Sequence, residues 1–144
     1  MHYSNALDRF LEAQQHTYKR ALSEVREGKK TSHWMWFIFP QLKGLGQSHT
    51  AHYYGIDTLE EAKEYLAQPL LRKSLLEVAT TLLSVKGKSA EAIFGSTDSQ
   101  KLRSSMTLFS QVENADKVFE QVLDKYFAGK RDERTLSMLA AAPR

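Results

Sequence analysis

Apolar residues recur at three- and four-residue steps along most of this chain, and that period is the one of an α-helix that buries one face. A first amphipathic run covers residues 7–25, with Ser4 placed to cap it and Gly28 to close it. The period fails over residues 31–56 and then returns, and no segment alternates as a half-buried strand does. The pattern predicts an all-α fold: a compact bundle of six to eight helices forming one domain over residues 1–144.

Capping residues predict the boundaries of the later helices. Thr58 and Glu61 form a capping box, and Pro69 suits the first turn of the helix that follows. Gly95 is expected to end a short helix. Three more helices should begin at polar caps, namely Asp98, Asn114 and Asp132.

Composition excludes several classes of site. The 144 residues contain no cysteine, which rules out disulfides, thiolate nucleophiles and cysteine metal sites and suits a reducing cytoplasm. The longest apolar run, Trp34–Phe39, is too short to cross a membrane. His49 and His52 have no carboxylate at matching spacing, so neither a metal nor another cofactor is expected.

The positive charges are spread along the chain. The net charge is +3, and carboxylates are interspersed among the lysines and arginines. A nucleic-acid binder usually concentrates its positive charge in one patch, so nucleic acid is not the expected partner. A small anion needs only two or three of these cations, and the composition leaves such a ligand open.

The segment without helical period, residues 31–56, is rich in aromatic side chains. Its apolar run could be a buried helix or a buried strand, and Phe37–Phe39 are expected in the core. Trp34 and Trp36 are either core residues or flat faces for a ligand ring. His33 is either a structural histidine or, if there is chemistry, the residue whose usual pKa suits proton transfer near neutrality.

A second group of polar residues follows Asp98. Lys101 and Arg103 would lie near the positive end of a helix, where the helix dipole disfavours cations unless an anion is present. Ser104, Ser105 and Thr107 add hydroxyl groups. The anion is either a carboxylate of the protein or a bound ligand, which Arg103 could grip through two hydrogen bonds.

Both groups carry a family resemblance. The runs HWMWFIFPQLKGLG (residues 33–46) and KLRSSMTLF (101–109) resemble the signature of a small bacterial domain of unknown function, whose members are often mislabelled calpastatin. The resemblance implies a compact helical fold and no agreed reaction. The chain departs from the family pattern over residues 68–75. A calpastatin-like inhibitor is a disordered repeat, which this amphipathic sequence does not resemble.

Two functions are consistent with these observations. The preferred one is binding of a small anionic molecule that contains a ring, such as a nucleotide or an ADP-ribose-like compound, with hydrolysis or transfer on it if His33 is catalytic. The alternative is a homodimeric interaction module in which the aromatic segment forms core and interface. The predicted ligand-binding residues are Trp34, Trp36, Gln41, Gly44, Gly46, Ser48, Tyr54, Lys101, Arg103, Ser104, Ser105 and Thr107.

Overall fold

A computed structural model describes residues 6–141, and over that range the fold is all-α, as the sequence predicts. The eight helices are α1 (Asp8–Glu27), α2 (Met35–Ile38), α3 (His49–Tyr53), α4 (Leu59–Ala67), α5 (Pro69–Ser84), α6 (Ala90–Ser110), α7 (Val118–Phe127) and α8 (Glu133–Ala141). Helix α6 packs on α7 and α8, and α5 packs on α1, α4 and α7.

Aromatic side chains fill the core between these helices. Phe109 of α6 lies between Tyr65 of α4 and Phe119 of α7, with ring centroids 5.2 and 5.7 Å away. Phe39 and Phe109 are both buried, and Phe37–Phe39 belong to the same apolar cluster. The core assignment made from the sequence is therefore confirmed for these residues.

The end of α1 is confirmed, and its beginning cannot be compared with the prediction. Gly28 adopts a left-handed conformation with φ of 77°, and its N–H donates to the carbonyls of Glu24 and Val25. Glycine meets that conformation without a steric penalty, which explains the sharp stop. The predicted cap, Ser4, lies outside the described residues.

The aromatic segment contains two short helices, α2 and α3, joined by a loop. The apolar run that could have been strand or helix is helix α2. Gln41 and Lys43 exchange backbone hydrogen bonds with Ile56, at 2.9 and 2.8 Å, and these bonds hold the two ends of the loop together. A Cβ atom on Gly55 would lie 2.6 Å from the Lys43 Cα atom, so the close approach requires glycine there.

Two of the predicted caps are wrong. Gly95 (φ 83°, ψ 165°) is non-helical and separates α6 into two helical runs, as expected, but the second run begins before Asp98, which therefore does not cap it. Asn114 lies in a turn with φ of 61°, and α7 begins later, after Lys117. The Asp98 carboxylate instead pairs with Lys30 and Lys101.

The other predicted caps hold. Thr58 accepts a hydrogen bond from the Glu61 N–H at 3.0 Å, although the Glu61 carboxylate binds the N–H of Asp57 and not that of Thr58. Asp132 accepts a hydrogen bond from the N–H of Thr135 at the start of α8.

Within residues 6–141, no helix is both long enough and apolar enough to cross a membrane.

Candidate functional site

The start of the aromatic segment is organised by a buried carboxylate, Glu24 of α1. It accepts hydrogen bonds from the backbone N–H groups of Thr31 and Ser32, the Ser32 hydroxyl and the indole N–H of Trp34. Burial alone would raise the pKa of Glu24, but these hydrogen bonds outweigh it and lower the pKa to about 2. Trp34 is fully buried, so its ring is a core element and offers no face to a ligand.

The two predicted groups of residues meet at Lys101. Its ammonium nitrogen lies 4.8 Å from the centroid of the Trp36 ring and 3.2 Å from Oδ1 of Asp98. The other Asp98 oxygen lies 2.8 Å from Nζ of Lys30. Although burial acts to raise it, the pKa of Asp98 is lowered by its hydrogen bonds and ion pairs with the two lysines. A carboxylate of the protein thus provides the anion that the position of Lys101 required.

A cavity of about 370 Å³ lies beside Lys101, between the loop after α2, the part of α6 that follows Gly95, and the start of α8. Most of its lining residues are polar in type, and none is aromatic. The lining residues are Gln41, Leu45, Gly46, Thr97, Gln100, Lys101, Ser104, Asp132 and Arg134. Four of the residues predicted from the sequence are therefore brought together, namely Gln41, Gly46, Lys101 and Ser104.

Two lining side chains are mostly buried and turn their polar atoms to the cavity. Gln41 is 8% exposed and Ser104 is 7% exposed. Within the described part of the chain, neither the Gln41 amide group nor the Ser104 hydroxyl makes a hydrogen bond, and both side chains line the cavity. Both polar groups are therefore free to bond a molecule in the cavity, where water otherwise solvates them.

Gly46 keeps the loop side of the cavity close to α3. A Cβ atom there would lie 2.6 Å from the Cβ of Ala51 and 3.3 Å from Nε2 of Gln41. Any side chain would therefore displace α3 or the Gln41 amide. The glycine is required for close packing, and it leaves the Gln41 amide in its place on the cavity wall.

Charged side chains line the opposite side of the cavity. Arg134, in the first turn of α8, is exposed, and no carboxylate of residues 6–141 pairs with it. Asp132 uses Oδ2 to accept from the N–H and hydroxyl of Thr135, which leaves Oδ1 available. With Lys101, the cavity carries two cations and one carboxylate, an arrangement suited to an anion that also has hydroxyl groups.

Arg103 does not line this cavity. Its Nε and Nη2 atoms donate to the carbonyls of Lys130 and Arg131, at 2.9 and 3.0 Å. Thr107 accepts from the N–H of Asp132 at 2.9 Å. Both residues hold the connection between α7 and α8, and thereby place Asp132 at the cavity.

The remaining predicted residues lie outside the cavity lining. Ser48 caps α3 by accepting from the Ala51 N–H at 3.1 Å. The Tyr54 ring packs between Phe10 and Phe37. Gly44 lies against Met138, and Ser105 is fully buried. The Trp36 ring lies under the ammonium group of Lys101.

The His33 side chain is exposed, and catalysis by His33 stays a prediction. The aromatic residues of the homodimer alternative are core residues, whereas dimerisation itself stays untested.

The spacing of polar residues along α6 could have predicted more of the residues that line the cavity. Thr97, Lys101 and Ser104 are four and three residues apart, which places them on one face of α6. Arg103 is adjacent to Ser104 in sequence and is therefore rotated by roughly 100° around the helix. Nothing in the sequence distinguished Arg134 or Leu45 from other surface residues.

Among residues 6–141, no cluster of three or more His, Asp or Glu residues could hold a metal ion.

Comparisons with known proteins place the chain in a family. The family model described as a protein of unknown function, DUF1810, matches residues 4–139. The chain belongs to the DUF1810 family. The crystal structure of the conserved hypothetical protein Rv1873 from Mycobacterium tuberculosis is similar, with a TM-score of 0.92 and 47% sequence identity over 94% of this chain and 97% of that one. Comparison with curated proteins gives no match.

Proposed function

We propose that this DUF1810 protein binds a small anionic molecule in the cavity between the α2–α3 loop, α6 and α8. The observation that carries the proposal is the pair of unpartnered, buried side chains of Gln41 and Ser104. A ligand in the cavity can bond both groups in place of water, and each such hydrogen bond contributes about 0.5–1.5 kcal/mol. Lys101 and Arg134 supply the positive charge that an anion needs.

The dimensions of the cavity favour a small ligand. Ligand pockets usually measure about 300–1,000 Å³, and this one, at about 370 Å³, is near the lower end. Of the two ligands expected from the sequence, a mononucleotide suits it better than an ADP-ribose-like molecule, and a sugar phosphate is also small enough. The absence of cysteine supports a cytoplasmic location for this binding.

We restrict the proposed activity to binding. Hydrolysis or transfer would need a proton donor or acceptor within hydrogen-bond reach of the ligand. His33 is not among the residues that line the cavity, and of the residues that do line it, Asp132 already uses one oxygen to cap α8.

Thermal denaturation with a panel of anions tests the proposal. The panel contains inorganic phosphate, ribose 5-phosphate, AMP and ADP-ribose. A ligand present at about 100 times its Kd should stabilise the fold by roughly 2.7 kcal/mol. For a domain of this size the melting temperature should rise by roughly 5–10 °C. No shift with any member of the panel at millimolar concentration would overturn the proposal.

A matched pair of arginine variants locates the binding. Arg134→Ala removes a cation from the cavity, whereas Arg20→Ala removes one from an exposed position on α1 that does not line it. We expect the first variant to lose most of the ligand-induced shift and the second to keep it. Equal losses in the two variants would mean that the anion binds by net charge and not in this cavity.

A further inference from the structure

We infer that the molecule this cavity takes is a phosphorylated polyol, such as a sugar phosphate, and not a nucleotide. This inference rests on the proposed function and adds the chemical class of the ligand. Three features of the lining support it: where the positive charges lie, which hydrogen-bonding groups accompany them, and the absence of aromatic side chains from the lining.

Two helix starts meet at one side of the cavity. The bend at Gly95 begins a new helical run, and Thr97 and Lys101 lie in its first two turns. Arg134 lies in the first turn of α8. The positive end of the second run of α6 favours an anion and carries Lys101, whereas the Asp132 carboxylate already caps α8 and Arg134 adds a cation beside it. A phosphate group, with up to two negative charges, matches this pair of cations.

The lining also contains acceptors, which a bare phosphate would not satisfy. Gln41 provides an amide oxygen as well as an NH₂ group, Ser104 provides a hydroxyl, and Asp132 provides its unused Oδ1. A carboxylate oxygen repels a phosphate but accepts a hydrogen bond from a hydroxyl group. Hydroxyl groups donate and accept, so neighbouring hydroxyls on a polyol would pair with this mixed set.

A nucleobase would find no suitable surface in the cavity. None of the lining residues is aromatic, and Leu45 is the apolar side chain among them. Trp34 is fully buried, and the ammonium group of Lys101 lies over the ring of Trp36. Stacking on aromatic faces is what proteins commonly use to hold a base. The lack of such a face favours a ligand made of hydroxyl and phosphate groups.

Isothermal titration calorimetry on the whole chain tests this assignment. The titrants are ribose 5-phosphate, glucose 6-phosphate, glycerol 3-phosphate, AMP, unphosphorylated ribose and inorganic phosphate. We expect at least one of the three polyol phosphates to bind about tenfold more tightly than inorganic phosphate and ribose, since it adds hydrogen bonds that each of those lacks. AMP should bind no more tightly than ribose 5-phosphate.

The outcomes separate this inference from the proposed function. If AMP binds about tenfold more tightly than every polyol phosphate, the cavity is a nucleotide site. The inference is then wrong, while the proposed anion binding still stands. Inorganic phosphate binding as tightly as the polyol phosphates would likewise overturn the inference alone. If none of the titrants binds, both the inference and the proposed function are wrong.

Asp132→Asn provides an independent test. The asparagine oxygen can still accept from the Thr135 N–H and cap α8, but the negative charge beside the ligand is lost. We expect polyol phosphate binding to weaken by about tenfold while inorganic phosphate binds as well as before or better. Asp124→Asn, at an exposed position of α7, serves as the matched control and should change neither. If Asp132→Asn changes the affinity for polyol phosphate and for inorganic phosphate by the same factor, Asp132 does not hold the hydroxyl groups.

Discussion

The ammonium group of Lys101 lies 4.8 Å from the centroid of the Trp36 ring, and this contact joins the aromatic segment to α6. The same lysine pairs with Asp98 and lines the cavity. One side chain therefore links the buried ion pairs around Trp34 and Trp36 to the proposed binding surface. Because its charge is shared with Asp98, Lys101 is held in one position before any ligand arrives.

The first prediction concerns the core. Replacing Phe39 or Phe109 with alanine should lower the free energy of unfolding by about 3–5 kcal/mol, since each change leaves a large cavity. Leu70→Ala, at a side chain that is 63% exposed, should cost less than about 1 kcal/mol. Urea melts measure all three. A loss below about 1 kcal/mol for both phenylalanines would refute the core assignment.

The second prediction concerns pH. The folded-state pKa of Glu24 is about 2, below the ordinary value of 4.5, so its charged form stabilises the fold. This stabilisation is fully present above about pH 5, and it is lost as the pH falls through 4.5 toward 2. It amounts to something on the order of 3 kcal/mol. Urea melts between pH 7 and about pH 2 should show the decline.

Substitution by glutamine isolates the contribution of Glu24. Glu24→Gln should be less stable than the wild type at pH 7, and the difference should shrink as the pH falls toward 2, because the variant has no carboxylate to protonate. Glu27→Gln, at an exposed position of the same helix, should follow the wild-type curve. A Glu24→Gln variant with the wild-type pH dependence would show that other groups cause the decline.

The third prediction distinguishes two roles for Arg103. Because its guanidinium binds two backbone carbonyls, Arg103→Ala should lower the free energy of unfolding without ligand by about 1–2 kcal/mol. Arg103→Lys should recover little, since an ammonium group cannot reproduce the planar donor geometry. Thermal melts without ligand decide the matter. If Arg103→Ala leaves the unliganded melting point unchanged yet abolishes the ligand-induced shift, the arginine contacts the ligand directly.

The fourth prediction uses the unpartnered hydroxyl of Ser104. Ser104→Ala removes a group that has no partner in the empty protein, so the free energy of unfolding should change by less than about 0.5 kcal/mol or rise. Ligand affinity should fall by about two- to tenfold. Ser99→Ala is the matched control: Ser99 is also buried on α6, but its hydroxyl donates to the Ser96 carbonyl. The control should lose stability and keep affinity.

Those parts of the fold that depend on local sequence patterns could be predicted from the sequence. Helical periodicity predicted the all-α class, and residues such as Gly28 and Thr58 act as their chemistry predicts. The cap at Asp98 failed because the second helical run of α6 starts directly after Gly95, and the cap at Asn114 failed because α7 starts later, after Lys117. Asp98 in particular is used by two lysines, and one of them, Lys30, is 68 residues away in sequence (98 − 30).

The site was predicted in part. Gln41, Gly46, Lys101 and Ser104 were found because the sequence groups polar residues and glycines in two short runs. The partner of the Trp34 indole could not be predicted, since Glu24 reads as an ordinary surface residue of α1. Arg134 was missed for the same reason: only the packing of α8 against α6 brings it to the cavity.

The side-chain amide of Gln41 gives the most direct test of ligand binding in this cavity. In a ¹⁵N–¹H spectrum its NH₂ signals can be assigned by their loss in Gln41→Met. During titration with ribose 5-phosphate we expect these signals to move and saturate together with the backbone amides of Gly46 and Ser104, because the amide has no partner in the empty protein. Signals that stay fixed at Gln41 while others saturate elsewhere would contradict binding in this cavity.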